Sequence, residues 1–470
     1  MLASRPVVES SSRLGLLRRS RSFGYLFLAT AGSSVGTYLA AIALTVQVYD
    51  ETKSGVWVAG LLIADFLPIV LIGLLLGPLV DRLSRRRLMI ASDLVRFGVF
   101  AALPFVDSPA AIVALAGVAG VATGFFLPAV YAGLPNLVPE EELTNANSLL
   151  QTVETLAWMI GPVVGGLMLT AWGTSVPYVV NAVTFVVSAA LVARIPEWSL
   201  RSEESLTRGH WRDVADGLRL VVTVRPLRTV LVVWNVVLIG SAAVNVAEVV
   251  FAKDALGAGD LGFGVIVAAS GVWLAFGSYV SAPALGAVGL RRHYIGSITL
   301  MGVGWGAAAL SPSIWLAVPC VVFGAAGNGG AIVCNRLLVQ RGAPDQYRGR
   351  ALATIMSSNY AVLGLAMAAA GIATDIVGAR TVWIAAGLVF LTGAAVALAM
   401  TRWLPVRAEQ EQAAIWESAE SAVAALGNGN GHAAEPDGAD IEPTPVERIA
   451  TLLEEIERRR EAEARRSAAS

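Results

Sequence analysis

Twelve long apolar stretches run through the sequence, and they constrain the fold more than any other feature. A helix that spans the hydrocarbon core of a bilayer needs roughly 20 mostly apolar residues. The stretches lie at approximately 23–49, 56–79, 88–106, 109–133, 147–170, 175–195, 228–252, 261–285, 294–311, 312–340, 351–375 and 379–404. They predict an all-α membrane protein with twelve transmembrane helices.

The composition supports a membrane protein and argues against several other classes. Hydrophobic residues make up 56% of the chain and charged residues only 15%, whereas soluble proteins average about 25% charged residues. The net charge is −1, and the sequence has no basic run interleaved with aromatic residues, so we expect no nucleic-acid partner. Cys320 and Cys334 lie in one apolar region and have neither a disulfide nor a zinc-site spacing, so we expect no metal site.

The order of apolar and polar segments predicts two bundles of six helices. Residues 23–195 form the first bundle and residues 229–404 the second, after a short N-terminal segment, 1–22. The polar linker 196–228 has apolar residues at near-helical spacing, which favours a surface helix. The tail, 405–470, is rich in Gly, Asn, Asp and Pro over 427–445, and we expect it to be largely disordered. Its end, 446–466, is a short amphipathic segment that either binds a cytoplasmic partner or is a solvated charged helix.

The distribution of arginine predicts the orientation in the membrane. Positively charged residues near helix ends collect on the cytoplasmic side. Only Lys53, Lys253 and Arg380 occur in the odd-numbered loops, whereas the N-terminus and most even-numbered loops contain several arginines. The first apolar run is too long for the core of a signal peptide, so we count it as the first span. Both termini are therefore expected in the cytoplasm of a multi-pass protein of the cell membrane.

The loop after the second apolar stretch reads GPLVDRLSRRR from Gly77 to Arg87. It resembles the signature loop of the major facilitator superfamily, although Ser84 stands where that family usually has glycine. The resemblance implies two six-helix bundles around a central cavity, and a conformational latch formed by this loop. The latch residues are then Gly77, Asp81, Arg82, Arg85 and Arg86. We expect the turn at Ser84 to be less relaxed than a glycine turn.

The fifth apolar stretch contains a second motif, Gly161-Pro162-Val163-Val164-Gly165-Gly166. Small residues four apart allow close helix packing, and proline bends a helix. The segment resembles a motif of the antiporter branches of the same superfamily. Segments at 93–96, 143–149 and 347–350 are similar to the branch that includes the enterobactin exporter and macrolide and multidrug efflux proteins. The resemblance implies an exporter and covers residues 23–404.

Ionisable residues inside apolar stretches are costly and usually functional. Asp65 lies near the middle of the second stretch, and Glu154 lies on the same helix face as part of the antiporter motif. Either acid is a candidate to bind a proton or a cationic substrate, and the alternative for each is a structural contact. A proton and a cation that compete for one carboxylate would be exchanged across the membrane.

Five further polar residues complete the candidate set. Asp93 and Arg96 are three residues apart, which favours a structural ion pair tied to the Asp81 latch. Glu248 follows Asn245 near the outer end of the seventh stretch and is close enough to Lys253 to reach the membrane interface. Asn181 and Asn328 are candidates to line the cavity. Asn328 lies in Gly327–Gly330, where we expect a hinge or an unwound segment.

These observations predict a proton-coupled exporter of small amphipathic compounds such as drugs or siderophores. The sequence has no phosphate-binding loop for ATP, so the proton gradient is the expected driving force and no cofactor is needed. An importer of the same fold, or an exporter of lipids or metabolites, is the alternative. An enzyme is disfavoured because the three histidines lie in loops or in the tail. We expect a monomer whose partners are its small-molecule substrate and the lipid bilayer.

Overall fold

The computed structural model describes residues 15–75, 83–200, 218–343 and 345–404. The predictions for Gly77, Asp81, Arg82, most of the linker and the whole tail concern residues outside these ranges. Within them, twelve helices have 18 to 33 residues. They are α1 Arg21–Thr52, α2 Gly55–Leu75, α3 Arg85–Ala102, α4 Pro109–Gly133, α5 Leu143–Trp172, α6 Ser175–Ala193, α7 Arg225–Val250, α8 Gly259–Val288, α9 Leu290–Leu310, α10 Ile314–Gly342, α11 Asp345–Val377 and α12 Ala379–Met400.

Each predicted apolar stretch overlaps one of these helices, with ends that differ by a few residues. The predicted boundary between the ninth and tenth stretches, near residue 311, is a real break, because α9 ends at Leu310 and α10 begins at Ile314. The seventh helix begins at Arg225, inside the predicted linker. In the described part of the chain, eleven helices are long and apolar enough to span a membrane. The helix that falls short is α9, whose first turn carries Arg291, Arg292 and His293.

The helix packing repeats between the two halves of the chain. In the first half, α1 packs on α5 and α6, α2 packs on α4, and α3 packs on α4 and α6. The second half has the same contacts with every number raised by six: α7 on α11 and α12, α8 on α10, and α9 on α10 and α12. The two halves meet through α2 against α11 and α5 against α8. The chain therefore forms two similar six-helix groups that are joined along two helix pairs.

The glycine-rich stretch of α10 does not interrupt the helix. The helix is continuous from Ile314 to Gly342, so the prediction of an unwound segment at 327–330 is wrong, and a hinge there stays a prediction. A Cβ on Gly329 would overlap the carbonyl oxygen of Leu274 in α8, and a Cβ on Gly327 would overlap the carbonyl oxygen of Ser297 in α9. These glycines therefore allow the close approach of three helices rather than a break in one.

The two halves are in contact at one end of the molecule, which we call the closed end, and apart at the other, the open end. The closed end contains the α1–α2, α7–α8 and α11–α12 junctions. On the face of α11 that packs on α2, Met367 is 5% exposed. Tyr360 and Met356 follow on the same face toward the open end and are 37% and 43% exposed. A cavity between the halves thus opens at the open end, where α2 ends and α3 begins.

Candidate functional site

The predicted pair of Asp93 and Arg96 is a buried ion pair within α3. Arg96 Nη2 lies 2.5 Å from Asp93 Oδ1, and the Ser188 hydroxyl of α6 donates to Asp93 Oδ2 at 2.7 Å. The guanidinium also stacks between the rings of Phe126 and Phe185, at 4.3 and 4.4 Å from their centroids. The pair therefore joins α3 to α4 and α6, and it is enclosed within the first half rather than open to the cavity.

Ser84 begins α3 without strain, so the expectation of a less relaxed turn is wrong. Its backbone has φ −62° and ψ 110°, and its side chain caps the helix by accepting from the Arg87 amide. The hydroxyl also donates to Glu197 Oε1 at 3.1 Å, and Arg87 Nε lies 3.1 Å from the same oxygen. Arg86 donates to the carbonyl of Ala193 at the end of α6. A glycine here would lose both the cap and the link to Glu197.

The motif of α5 makes contacts in two directions. Gly161 and Gly165 pack against α1, where a Cβ on either residue would overlap atoms of Tyr38 or Leu39. Gly166 faces the other half, and a Cβ there would lie 3.3 Å from the Cα of Gly264 in α8. The carbonyl of Pro162 also faces Gly264. The motif therefore lets two helices approach the same part of α5 closely. One is α1 of the first half, and the other is α8 of the second half.

Asp65 of α2 and Glu154 of α5 both lie near Tyr38 of α1. The phenol of Tyr131, on α4, donates to both carboxylate oxygens of Glu154 at 3.2 and 3.3 Å. Both carboxylates interact electrostatically with Tyr38 on α1. The Asp65 side chain is exposed although it lies midway along α2, and within the described residues it has no hydrogen bond or ion pair. Four helices, α1, α2, α4 and α5, thus bring two acids and two phenols together.

The remaining candidates lie elsewhere. Asn181 is fully buried and packs against Gly36 of α1, so the prediction that it lines the cavity is wrong. Asn328 is half-buried in the continuous α10. Glu248 is buried in α7, so it does not reach the interface as expected, and the Lys253 ammonium binds Asp50 and Asp260. Among the described residues, no group of three His, Cys, Asp or Glu side chains is placed to hold a metal ion.

The closed end contains the functional contacts that sequence reasoning missed. Lys253 Nζ lies 2.7 Å from Asp50 Oδ2 and also binds Asp260, and the Tyr49 hydroxyl donates to Asp254. Asp375, at the end of α11, accepts from the Ser54 hydroxyl at 2.6 Å and from the first amides of α2. It therefore caps a helix of the other half. The available signal was the position of these charges at the ends of apolar stretches.

Comparison with known proteins identifies the family of this chain. A family model described as "Transmembrane secretion effector" matches residues 12–433. The chain belongs to this family of the major facilitator superfamily. Family membership confirms the predicted superfamily, and it confirms that the protein is a multi-pass membrane transporter rather than an enzyme.

Relatives of this transporter are efflux proteins. The multidrug efflux pump Tap of Mycolicibacterium fortuitum is 29% identical over 397 residues, which cover 80% of this chain and 95% of Tap. Macrolide efflux protein A of Streptococcus pyogenes is 25% identical over 354 residues, 72% of this chain and 85% of the relative. The crystal structure of the nucleoside transporter NupG superposes with a TM-score of 0.67 at 12% identity, over 81% of this chain and 99% of NupG. At that identity, NupG shows the shared fold alone.

Proposed function

We propose that this transporter is a proton-coupled exporter, an antiporter of small amphipathic compounds that works by alternating access. The observation that carries the proposal is the group of Asp65, Glu154, Tyr38 and Tyr131 in the cavity between the halves. Two carboxylates at mid-depth are costly unless they bind a cation or a proton during the cycle. The names of Tap and macrolide efflux protein A support the direction of transport.

The two acids have different surroundings, which supports different roles. A phenol can donate to a carboxylate and accept from a carboxylic acid, so Tyr131 can hydrogen-bond Glu154 whether or not Glu154 carries a proton. Asp65 has no partner among the described residues, so it is available to a cationic substrate. Glu154 then binds the proton and Asp65 recognises the cation. Tyr38 lies near both carboxylates, so one phenol is shared by the two proposed sites.

The proposed orientation has twelve spans, including α9, and places both termini in the cytoplasm. The positive charges of α9 lie in its first turn, at the open end, where long cationic side chains reach the membrane interface. The open end also carries Arg85, Arg86 and Arg87 at the start of α3. The cavity of this structure then opens to the cytoplasm, the side from which an exporter takes its substrate.

Orientation is tested with single cysteines at two exposed acids, Asp107 in the α3–α4 junction and Glu141 in the α4–α5 junction. The background has Cys320 and Cys334 replaced by alanine. A membrane-impermeant maleimide added to intact cells is expected to label Asp107→Cys and to label Glu141→Cys only after permeabilisation. The reverse pattern would place the termini outside the cell. The cavity of this structure would then open to the outside, which contradicts the proposed orientation.

Transport is tested in inside-out membrane vesicles with an acidic interior, offered cationic dyes and macrolides. Wild type and the exposed control Asp107→Asn are expected to accumulate the compounds in an uncoupler-sensitive way. Glu154→Gln is expected to lose gradient-driven accumulation while still binding dye. Asp65→Asn is expected to lose affinity for cationic compounds and to keep transport of uncharged ones.

The outcomes separate the proposal from its alternatives. Accumulation that survives in Glu154→Gln would show that this acid is not the proton site. Accumulation only in right-side-out vesicles would establish an importer. If no offered compound is transported by folded protein, lipids and metabolites become the substrates to test and the amphipathic-drug assignment is abandoned.

A further inference from the structure

Glu248 is a buried acid without a described ion pair. It lies in α7, its side chain is 8% exposed, and its Oε1 is buried without a hydrogen-bond partner. The residues on either side, Val246, Ala247 and Val249, are fully buried. An ionised carboxylate in such surroundings loses its hydration without compensation. The first half of the cavity contains Asp65 and Glu154, whereas Glu248 belongs to the second half.

A polar stripe on α7 leads from Glu248 toward the open end. Ser241, Asn245 and Glu248 follow at spacings of four and three residues, which places them on one helix face. Ser241 is half-buried and Asn245 is exposed. Because α7 runs toward the closed end, Glu248 lies above Asn245, at the roof of the cavity. One helical turn beyond it, Lys253 and Asp254 form contacts that join the halves.

The charged groups around this roof are already engaged. The Lys253 ammonium binds Asp50 and Asp260, and the Arg380 guanidinium of α12 donates to backbone carbonyls of Ala255, Ala309 and Ser311. The other charges nearby also have partners: Lys53 binds Asp50, Asp254 accepts from Tyr49, and Asp375 caps α2. No described charged side chain acts electrostatically on the Glu248 carboxyl. The sealed closed end therefore supplies no counter-charge to Glu248.

We propose that Glu248 is a second proton-binding residue, whose protonation is required for the closed end to seal. The inference rests on the proposed proton coupling and assigns part of it to the second half. When the closed end parts, α7 loses its cover and Glu248 is hydrated and exchanges protons with the outer solution. Binding a proton then allows the roof to close over a neutral side chain.

This role gives the proton a direction through the cycle. Outside the cell, after substrate release, an acidic solution protonates Glu248 and favours the sealed state, which is open to the cytoplasm. In that state the proton leaves along Asn245 and Ser241 into the cavity. Its loss leaves an unpaired carboxylate under the seal and favours reopening of the closed end. Substrate bound at Asp65 is then released outside.

The test measures how far the closed end is open as a function of pH. Spin labels are attached to cysteines at Asp107 and Pro312, exposed positions in the α3–α4 and α9–α10 junctions of the two halves, with Cys320 and Cys334 replaced by alanine. The protein is reconstituted in nanodiscs, and the distance distribution is measured by pulsed electron paramagnetic resonance. In wild type, the long-distance population is expected to increase as the pH is raised.

Glu248→Gln is expected to stay in the short-distance state at every pH and to lose gradient-driven accumulation. Glu248→Met gives the same prediction and is used if the glutamine variant does not fold. Glu248→Asp is expected to keep a pH response. Glu154→Gln should keep the wild-type distance response while losing accumulation, so the two proposals fail separately. A wild-type distance response in both Glu248→Gln and Glu248→Met, or no response in wild type, overturns the inference.

Discussion

Replacing Arg96 by methionine is expected to lower the free energy of unfolding by about 3–5 kcal/mol, the range for removing one partner of a buried ion pair. Asp93 would keep the hydroxyl of Ser188 but lose its cation in a site from which water is excluded. The rings of Phe126 and Phe185 would also lose the guanidinium between them. Thermal and denaturant unfolding of the detergent-solubilised protein, followed by tryptophan fluorescence, measures the change.

The exposed pair of Lys53 and Asp50 is the matched control. Lys53 is 59% exposed, so Lys53→Ala is expected to cost no more than about 1 kcal/mol. The double variant Asp93→Leu/Arg96→Met removes both charges and should recover much of the loss. A single variant Arg96→Met as stable as Lys53→Ala would mean that Asp93 finds another partner or binds a proton without cost.

Replacing Asp375 by alanine is expected to shift the equilibrium of the two halves toward an opened closed end by roughly 5- to 30-fold, or about 1–2 kcal/mol. Asp375 accepts from the Ser54 hydroxyl and from the first amides of α2, so its loss leaves a helix N-terminus of the other half without its cap. These bonds exist only while the halves touch. The change therefore acts on the conformational equilibrium and leaves each half folded.

The label pair at Asp107 and Pro312 measures this shift as a larger long-distance population at every pH. Asp375→Asn, which keeps one acceptor oxygen, should have a smaller effect. Glu51→Ala, an exposed acid at the end of α1, is the control and should leave the distribution unchanged. Equal distributions for Asp375→Ala and wild type would show that the cap does not contribute to the seal, and that Lys253 and the glycine contacts suffice.

Local patterns explain why much of the fold was predictable. The apolar stretches located each of the twelve long helices, because a bilayer requires each span to satisfy its own backbone hydrogen bonds. The pair of Asp93 and Arg96 was predictable because three residues of helix bring the side chains together whatever the rest of the fold does. The errors at Asn181 and 327–330 have one origin, because each position packs on a helix that is remote in sequence, at Gly36 or Leu274. The error at Ser84 is local, because its side chain caps α3 three residues away at the Arg87 amide.

The sequence by itself determined the membrane environment, the positions of the long helices and the family motifs, because these depend on composition and short spacings. Only the tertiary structure decided which acids share the cavity and how the closed end is held. Lys253 and Asp50 are 203 residues apart, and Asp375 and Ser54 are 321 apart. Such pairs form when two separately folded halves dock. Their free energy depends on the relative position of the halves, which no helix period or local motif encodes.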